Sequence, residues 1–172
     1  RIREAGAVPA FKGYRGYPAT LCASINDSIV HGIPSKRPLI EGDIVSLDMG
    51  VVRDSYYGDS AVTVGVGVIS EEASQLLRVT QEALDRAIEC MRVGGRVSDL
   101  GHAVQVHVEA HGFSIVREFV GHGIGTKLHE DPQVPNYGDP GHGPRLQEGM
   151  VLAIEPMVNV GKPAVQILDD HW

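Results

Sequence analysis

The sequence predicts an α+β domain built on antiparallel sheet, and three observations carry that reading. Between Leu21 and Val66, short apolar runs are broken by Gly, Pro and Asp; two helical stripes then follow one another directly; strand-sized apolar runs return after Gly112. Two consecutive helices between sheet segments do not make a parallel βαβ unit, so the strands pair antiparallel.

The elements follow in order. Strands are expected at Thr20–Ser24, Asp43–Val52 and Ser60–Val66. Ser70 with Glu71 and Glu72 reads as an N-cap with acidic first-turn residues, and Leu76, Leu77, Ala83, Leu84, Ala87 and Ile88 supply one face of a helix over about residues 71–91. Ser98-Asp99 opens a second helix whose apolar positions Leu100, Val104 and Val108 continue until Gly112. A strand at Ser114–Glu118, a glycine-rich stretch Gly121–Gly125, a Pro/Gly/Asn-rich loop from Asp131 to Pro144 and a strong strand Met150–Val158 complete the order. The opening Arg1–Ala5 reads as the tail of a helix from an earlier pair, which would make the whole two similar helix-helix-sheet halves.

The chain has 172 residues, 42% hydrophobic and 22% charged. One domain, residues 1–172, is expected, with enough chain to bury a core. The apolar runs are too short to span a membrane. Fifteen Lys and Arg against 22 Asp and Glu leave a net charge of -7 with no basic block, which argues against nucleic acid as a main partner. Two cysteines, Cys22 and Cys90, are too few for a disulfide framework, and a cytoplasmic setting is expected. Arg1 stands where Met would open a complete chain, and the end lacks capping or tail composition, so a fragment is expected.

Several charged residues do not belong where they stand. Asp48 interrupts Ile44–Met49, Asp59 opens the run Ser60–Val64, and Glu155 closes Val151–Ile154. A hairpin centred between Arg53 and Asp54 would set Asp48 directly opposite Asp59. Like charges so paired are destabilising, so two buried carboxylates there need a shared proton or a cation; the alternative is a register slip that turns one of them to water. An unpartnered buried Glu155 would be similarly costly. His122 lies between glycines that let the backbone approach a ligand closely, and His129 follows seven residues later. Carboxylates with one imidazole suit manganese, iron, cobalt or zinc, and the lack of a Cys pair argues against a structural zinc knot.

These segments, Leu47-Asp-Met-Gly with Asp59-Ser, Gly121-His-Gly-Ile-Gly125, His129-Glu-Asp-Pro-Gln-Val and Ile154-Glu-Pro-Met-Val, resemble the metal-site segments of type I methionine aminopeptidases. Tyr14-Arg-Gly-Tyr-Pro18, Cys22-Ala-Ser-Ile-Asn26 and Val30-His-Gly-Ile-Pro34 resemble that family's pocket segments. The resemblance runs in order from about Gly6 to Trp172. It implies the pita-bread fold of creatinase and aminopeptidase-like proteins, a curved antiparallel sheet flanked by helices, here incomplete. It also implies removal of N-terminal methionine from peptides and nascent chains when the second residue is small.

By that resemblance two divalent ions are bound: Asp48 holds one, Asp59 bridges both, and His122 and Glu155 hold the other. Glu155 also shuttles a proton, His31 contacts the scissile amide and His129 the carbonyl oxygen of the first residue. Tyr14, Tyr17, Cys22 and Trp172 match segments lining the methionine pocket. The family has a further bridging carboxylate on a later strand that this sequence does not reach. A cytoplasmic monomer working near the ribosome is the expected setting. The same-fold alternative is a prolidase-like Xaa-Pro peptidase, and the different-class alternative is a pita-bread binding module without catalysis.

Other patterns are set aside. His107 and His111 are four apart with Glu109 between, yet the zinc-peptidase helix needs Glu directly after the first His, where Val108 stands. They are expected to be solvated helix residues, as are Glu71, Glu72 and Glu82. Gly65-Val-Gly67 lacks the third glycine of a dinucleotide loop, and His142 is expected to face water.

Overall fold

The computed structural model describes residues 1–169 and 172. Val8–Pro9 (β1), a 3-10 turn at Tyr14–Gly16, Cys22–Ile25 (β2), Ile44–Arg53 (β3) and Tyr56–Gly65 (β4) open the chain. β3 pairs antiparallel with all three other strands: β1 and β2 take successive stretches of it, and β4 runs along its whole length. The connection from β3 to β4 is a two-residue loop, Asp54-Ser55, with φ of 52° and 67°. Left-handed conformation at both positions is the turn that matches strand twist; Asp tolerates it because its short polar side chain bonds locally. β4 therefore starts at Tyr56, four residues earlier than expected, and the register differs from the expected one by two: Asp48 pairs with Ala61, and Asp59 with Gly50.

Two helices follow, Glu71–Glu89 (α1) and Val97–Ala110 (α2). Ser70 caps α1, its Oγ accepting from the Ala73 amide at 3.1 Å. At α2 the cap is reversed from the expected one: the Asp99 carboxylate accepts the Arg96 amide at 2.8 Å, so the helix begins at Val97. Val79, Ala83 and Ala87 of α1 and Val97, Leu100, Val104 and Val108 of α2 interlock as a fully buried core. No helix among the described residues is long and apolar enough to cross a membrane.

Short strands complete the chain: Ser114–Ile115 (β5), Gly121–Gly123 (β6), Glu130–Val134 (β7), Leu152–Ala153 (β8) and Val158–Asn159 (β9). β6 lies between β7 and β8, and β5 pairs with β9, all antiparallel. β6 and β7 occupy stretches expected to be irregular, because Gly and Pro argue against strand on propensity alone. Conversely, the expected strand Met150–Val158 is two short pieces. Pro156 between them has no amide proton to give a ladder. Residues 2–6 are turns, not the tail of a helix.

The chain divides into two compact units: Arg1–Ser74 with Gly125–Leu128 and Gln166–Trp172, and Gln75–Ile124 with His129–Val165. The first holds the β1–β4 sheet, the second the helical core and the short strands.

Candidate metal centre

In the first unit, alternation along β3 and β4 places Cys22, Ser24, Ser46, Asp48, Gly50, Asp59 and Thr63 on one face of the sheet. Leu47, Met49, Val62 and Val64 share the other. The usual order is inverted: Cys22 and Ser24 on the polar face are buried, whereas Val62 on the apolar face is 55% exposed. A sheet that turns hydroxyls and carboxylates inward needs polar partners there; Ser46 and Thr63 supply part, their hydroxyls 2.8 Å apart.

Asp48 and Asp59 are diagonal neighbours on this face, not directly opposed as expected. The two-residue difference in register is even, so it preserves their shared face. Gly50, opposite Asp59, is held against the Phe11 ring, where an added Cβ would lie 2.4 Å from a ring carbon.

Cys22 is the direct partner of Asp48 on β2. Burial pushes its thiol up to about 11, with Asp48 and Asp59 adding to the rise and the hydrogen bond from Tyr17 opposing it. Burial, then the bond to Cys22, likewise raises Tyr17. The Tyr17 hydroxyl lies 2.9 Å from the Gly32 carbonyl oxygen and 3.1 Å from that of Leu21. Trp172 stands edge-on to Tyr17, ring centroids 4.9 Å apart, and edge-on to His31 at 6.0 Å. His31 has φ of 60°, a left-handed backbone unusual outside glycine, and Gly32 is pressed so closely on β2 that a Cβ there would meet the Ala23 carbonyl oxygen at 2.5 Å. Tyr17, Cys22, His31, Asp48 and Trp172 are thus gathered; Tyr14 is in the 3-10 turn with the Arg15 guanidinium 5.4 Å from its ring centroid.

In the second unit, His122 is buried on β6. Its flanking glycines serve strand packing instead of the close approach to a ligand that the sequence suggested: a Cβ on Gly121 would meet the Ala153 carbonyl oxygen at 2.2 Å, and one on Gly123 the Asp131 carbonyl oxygen at 2.3 Å. The register shifts between His122 and Gly123, where β7 carries two extra residues, Asp131 and Pro132. His122 Nδ1 donates to the Gly123 carbonyl oxygen at 2.8 Å, because a carbonyl can only accept. That bond assigns the proton to Nδ1, and Nε2, carrying the lone pair of the neutral ring, lies 3.1 Å from Glu155 Oε1. Two acceptors at that distance require a proton or a cation between them, which is how the residues fit a divalent metal. His129 is exposed, its ring 4.2 Å from that of His122 between centroids.

Sequence reasoning missed Asn136, which is buried and donates its amide to the Glu155 carbonyl oxygen at 2.6 Å. It lies in a stretch read as loop, and nothing local marks it.

The whole chain, residues 1–172, matches the model of metallopeptidase family M24. A methionine aminopeptidase of Clostridium perfringens is 54% identical over 171 residues, which are 99% of this chain and 69% of that protein. The chain belongs to the methionine aminopeptidases of family M24. Among solved structures of that family, the Thermotoga maritima methionine aminopeptidase superposes with a TM-score of 0.98 at 49% identity, over 99% of this chain and 69% of that one. The fold is therefore the pita-bread fold in an incomplete version. A prolidase from Pyrococcus horikoshii reaches a TM-score of 0.67 at 27% identity over 79% of this chain and 39% of that one. The methionine aminopeptidases thus match more closely than the prolidase-like alternative, in coverage, identity and superposition alike.

Proposed function

We propose that the chain carries out metal-dependent hydrolysis of the first peptide bond of substrates that begin with methionine. The identity of about half the residues to methionine aminopeptidases along the full chain is the observation that carries this reading. It favours an enzyme over a binding module, since Asp48, Asp59, His122 and Glu155 are all retained.

The proposed ligands are Asp48, Asp59, His122 and Glu155, holding two divalent ions drawn from cobalt, manganese, iron or zinc. Bound divalent ions supply Lewis acidity, which acidifies water and polarises a carbonyl. The protein's own groups do the rest. The Glu155 carboxylate takes a proton from the attacking water and passes it to the leaving amine. His129 donates to the carbonyl oxygen of the first residue, and His31 orients the scissile amide. Tyr14, Tyr17, Cys22 and Trp172 grip the methionine side chain; aromatic edges and a thiol are soft partners for a thioether. The same reading takes the protein as a cytoplasmic monomer acting where nascent chains leave the ribosome.

The test is release of methionine from Met-Ala-Ser and Met-Leu peptides with added manganese or cobalt. Met-Ala-Ser is cleaved, Met-Leu is cleaved poorly, and a strong chelator abolishes both. Equal turnover of the two peptides, or cleavage that survives chelation, overturns the reading, while preference for an Xaa-Pro peptide supports the prolidase alternative.

A further inference from the structure

Away from these residues, the two helices carry a cluster that the proposed reaction does not use. His107, on the third turn of α2, is only 8% exposed, and its Nε2 lies 2.9 Å from Glu82 Oε2 on α1. His111, one turn further on, stacks obliquely on it, ring centroids 4.6 Å apart. The expectation of a solvated residue is corrected for His107, which helix packing buries against the Glu82 carboxylate, whereas His111 is exposed and Glu82 half-exposed.

The tautomer of His111 follows from its partner. Nδ1 lies 2.8 Å from the His107 carbonyl oxygen, which can only accept, so Nδ1 holds the proton and Nε2 of the neutral ring presents its lone pair. One ligand atom from each of Glu82, His107 and His111 lies within 4.8 Å of the other two. In a tetrahedral site with bonds of roughly 2.0–2.2 Å the ligand atoms stand about 3.3 Å apart. Closing the difference asks for a shift of at most about 1.5 Å, and the two outer groups can make it: His111 is exposed and Glu82 is half-exposed at 45%. His107 stays fixed.

We propose that Glu82, His107 and His111 form a separate binding site for a first-row transition metal, with zinc as the physiological candidate, tying α1 to α2. Two imidazoles and one carboxylate are donors that zinc, nickel and copper prefer and that magnesium and calcium do not. Histidines four apart present both rings on one helix face, and a fourth position stays open to water. Metal at His107 Nε2 takes the place of the proton held toward Glu82, and that proton passes to Nδ1 of the same ring; Arg78 Nε lies 4.0 Å from the other carboxylate oxygen of Glu82.

The experiment counts zinc bound per chain by equilibrium dialysis for the unaltered protein and for His111→Ala and Glu82→Gln, which alter surface groups and leave the buried His107 in place. Each variant binds one fewer zinc while methionine release is unchanged. A parallel set in the His122→Ala background separates this site from the proposed catalytic one: zinc still raises the melting temperature there, and adding His111→Ala removes that rise. Copper bound to the His122→Ala protein shows hyperfine coupling to two ring nitrogens, and to one after His111→Ala. Equal zinc counts in the unaltered protein and His111→Ala, or a zinc-induced rise that survives the double substitution, overturns the proposal.

Discussion

Replacing Gly123 by alanine tests whether strand spacing holds the His122 imidazole in place. The new Cβ would lie 2.3 Å from the Asp131 carbonyl oxygen, 2.8 Å from its carbon and 3.0 Å from the Glu130 carbonyl oxygen. Carbon ordinarily approaches a carbonyl oxygen no closer than about 3.3 Å, so the overlap is about 1 Å. It falls on the backbone of β7, which cannot rotate away as a side chain can, so β6 must move. Overpacking of this kind costs about 1–3 kcal/mol, which for a chain of this size lowers the melting temperature by about 2–12 °C. A displacement of about 1 Å at a reacting group costs on the order of a hundredfold in rate. Circular dichroism melting and methionine release, read on the same preparation, give the two effects. Gly161→Ala is the control, because nothing lies within 4 Å of its added Cβ; melting and rate stay close to those of the unaltered protein. A Gly123→Ala protein that melts and turns over normally refutes the reasoning, since the clash would then be absorbed without moving His122.

Three further outcomes follow from the packing and charge of the fold. Asp43 is buried and accepts from Arg37, Asn26 and the Ile40 amide, and the Arg37 bonds above all hold its carboxyl well below the usual carboxylate range. The unfolded chain therefore binds the proton first as acid is added, so this stabilisation is complete above about pH 4 and is lost as pH falls toward the folded value. Asp43→Asn melts lower at neutral pH and loses less on acidification, and denaturant titrations at a series of pH values show it; parallel acid limbs for the two proteins would sink the assignment. Leu100→Ala empties a fully buried position in the helical core and costs about 2–5 kcal/mol by urea titration; a cost under about 1 kcal/mol would mean that α1 and α2 close over the gap. Iodoacetamide at neutral pH modifies the half-exposed Cys90 well before Cys22, whose thiol burial pushes up to about 11. Peptide mass mapping reads the order, and equal rates would contradict the burial of Cys22.

What the sequence makes legible depends on whether a signal is local. An ionised residue inside an apolar run is such a signal, and Asp48, Asp59 and Glu155 stand out without any structure. So does an imidazole between glycines, although in the structure those glycines make room for the neighbouring strands Glu130–Val134 and Leu152–Ala153. Register is less legible, because it rests on a turn. Asp54-Ser55 lacks glycine yet adopts left-handed angles at both positions, and that moves the pairing of Asp48 from Asp59 to Ala61. The face assignment survives only because the difference is even; a slip of one would have turned one carboxylate away. The cluster of Glu82, His107 and His111 lies at the other extreme. Periodicity tells which face of each helix is apolar, but not which residue of one helix meets which of the other, and Glu82 and His107 are 25 residues apart. A histidine on the margin of an apolar stripe can face water or the next helix with the same sequence pattern. Which it does is decided by the depth to which Val104 and Val108 pack, and that depth brings the imidazole of His107 within reach of a carboxylate.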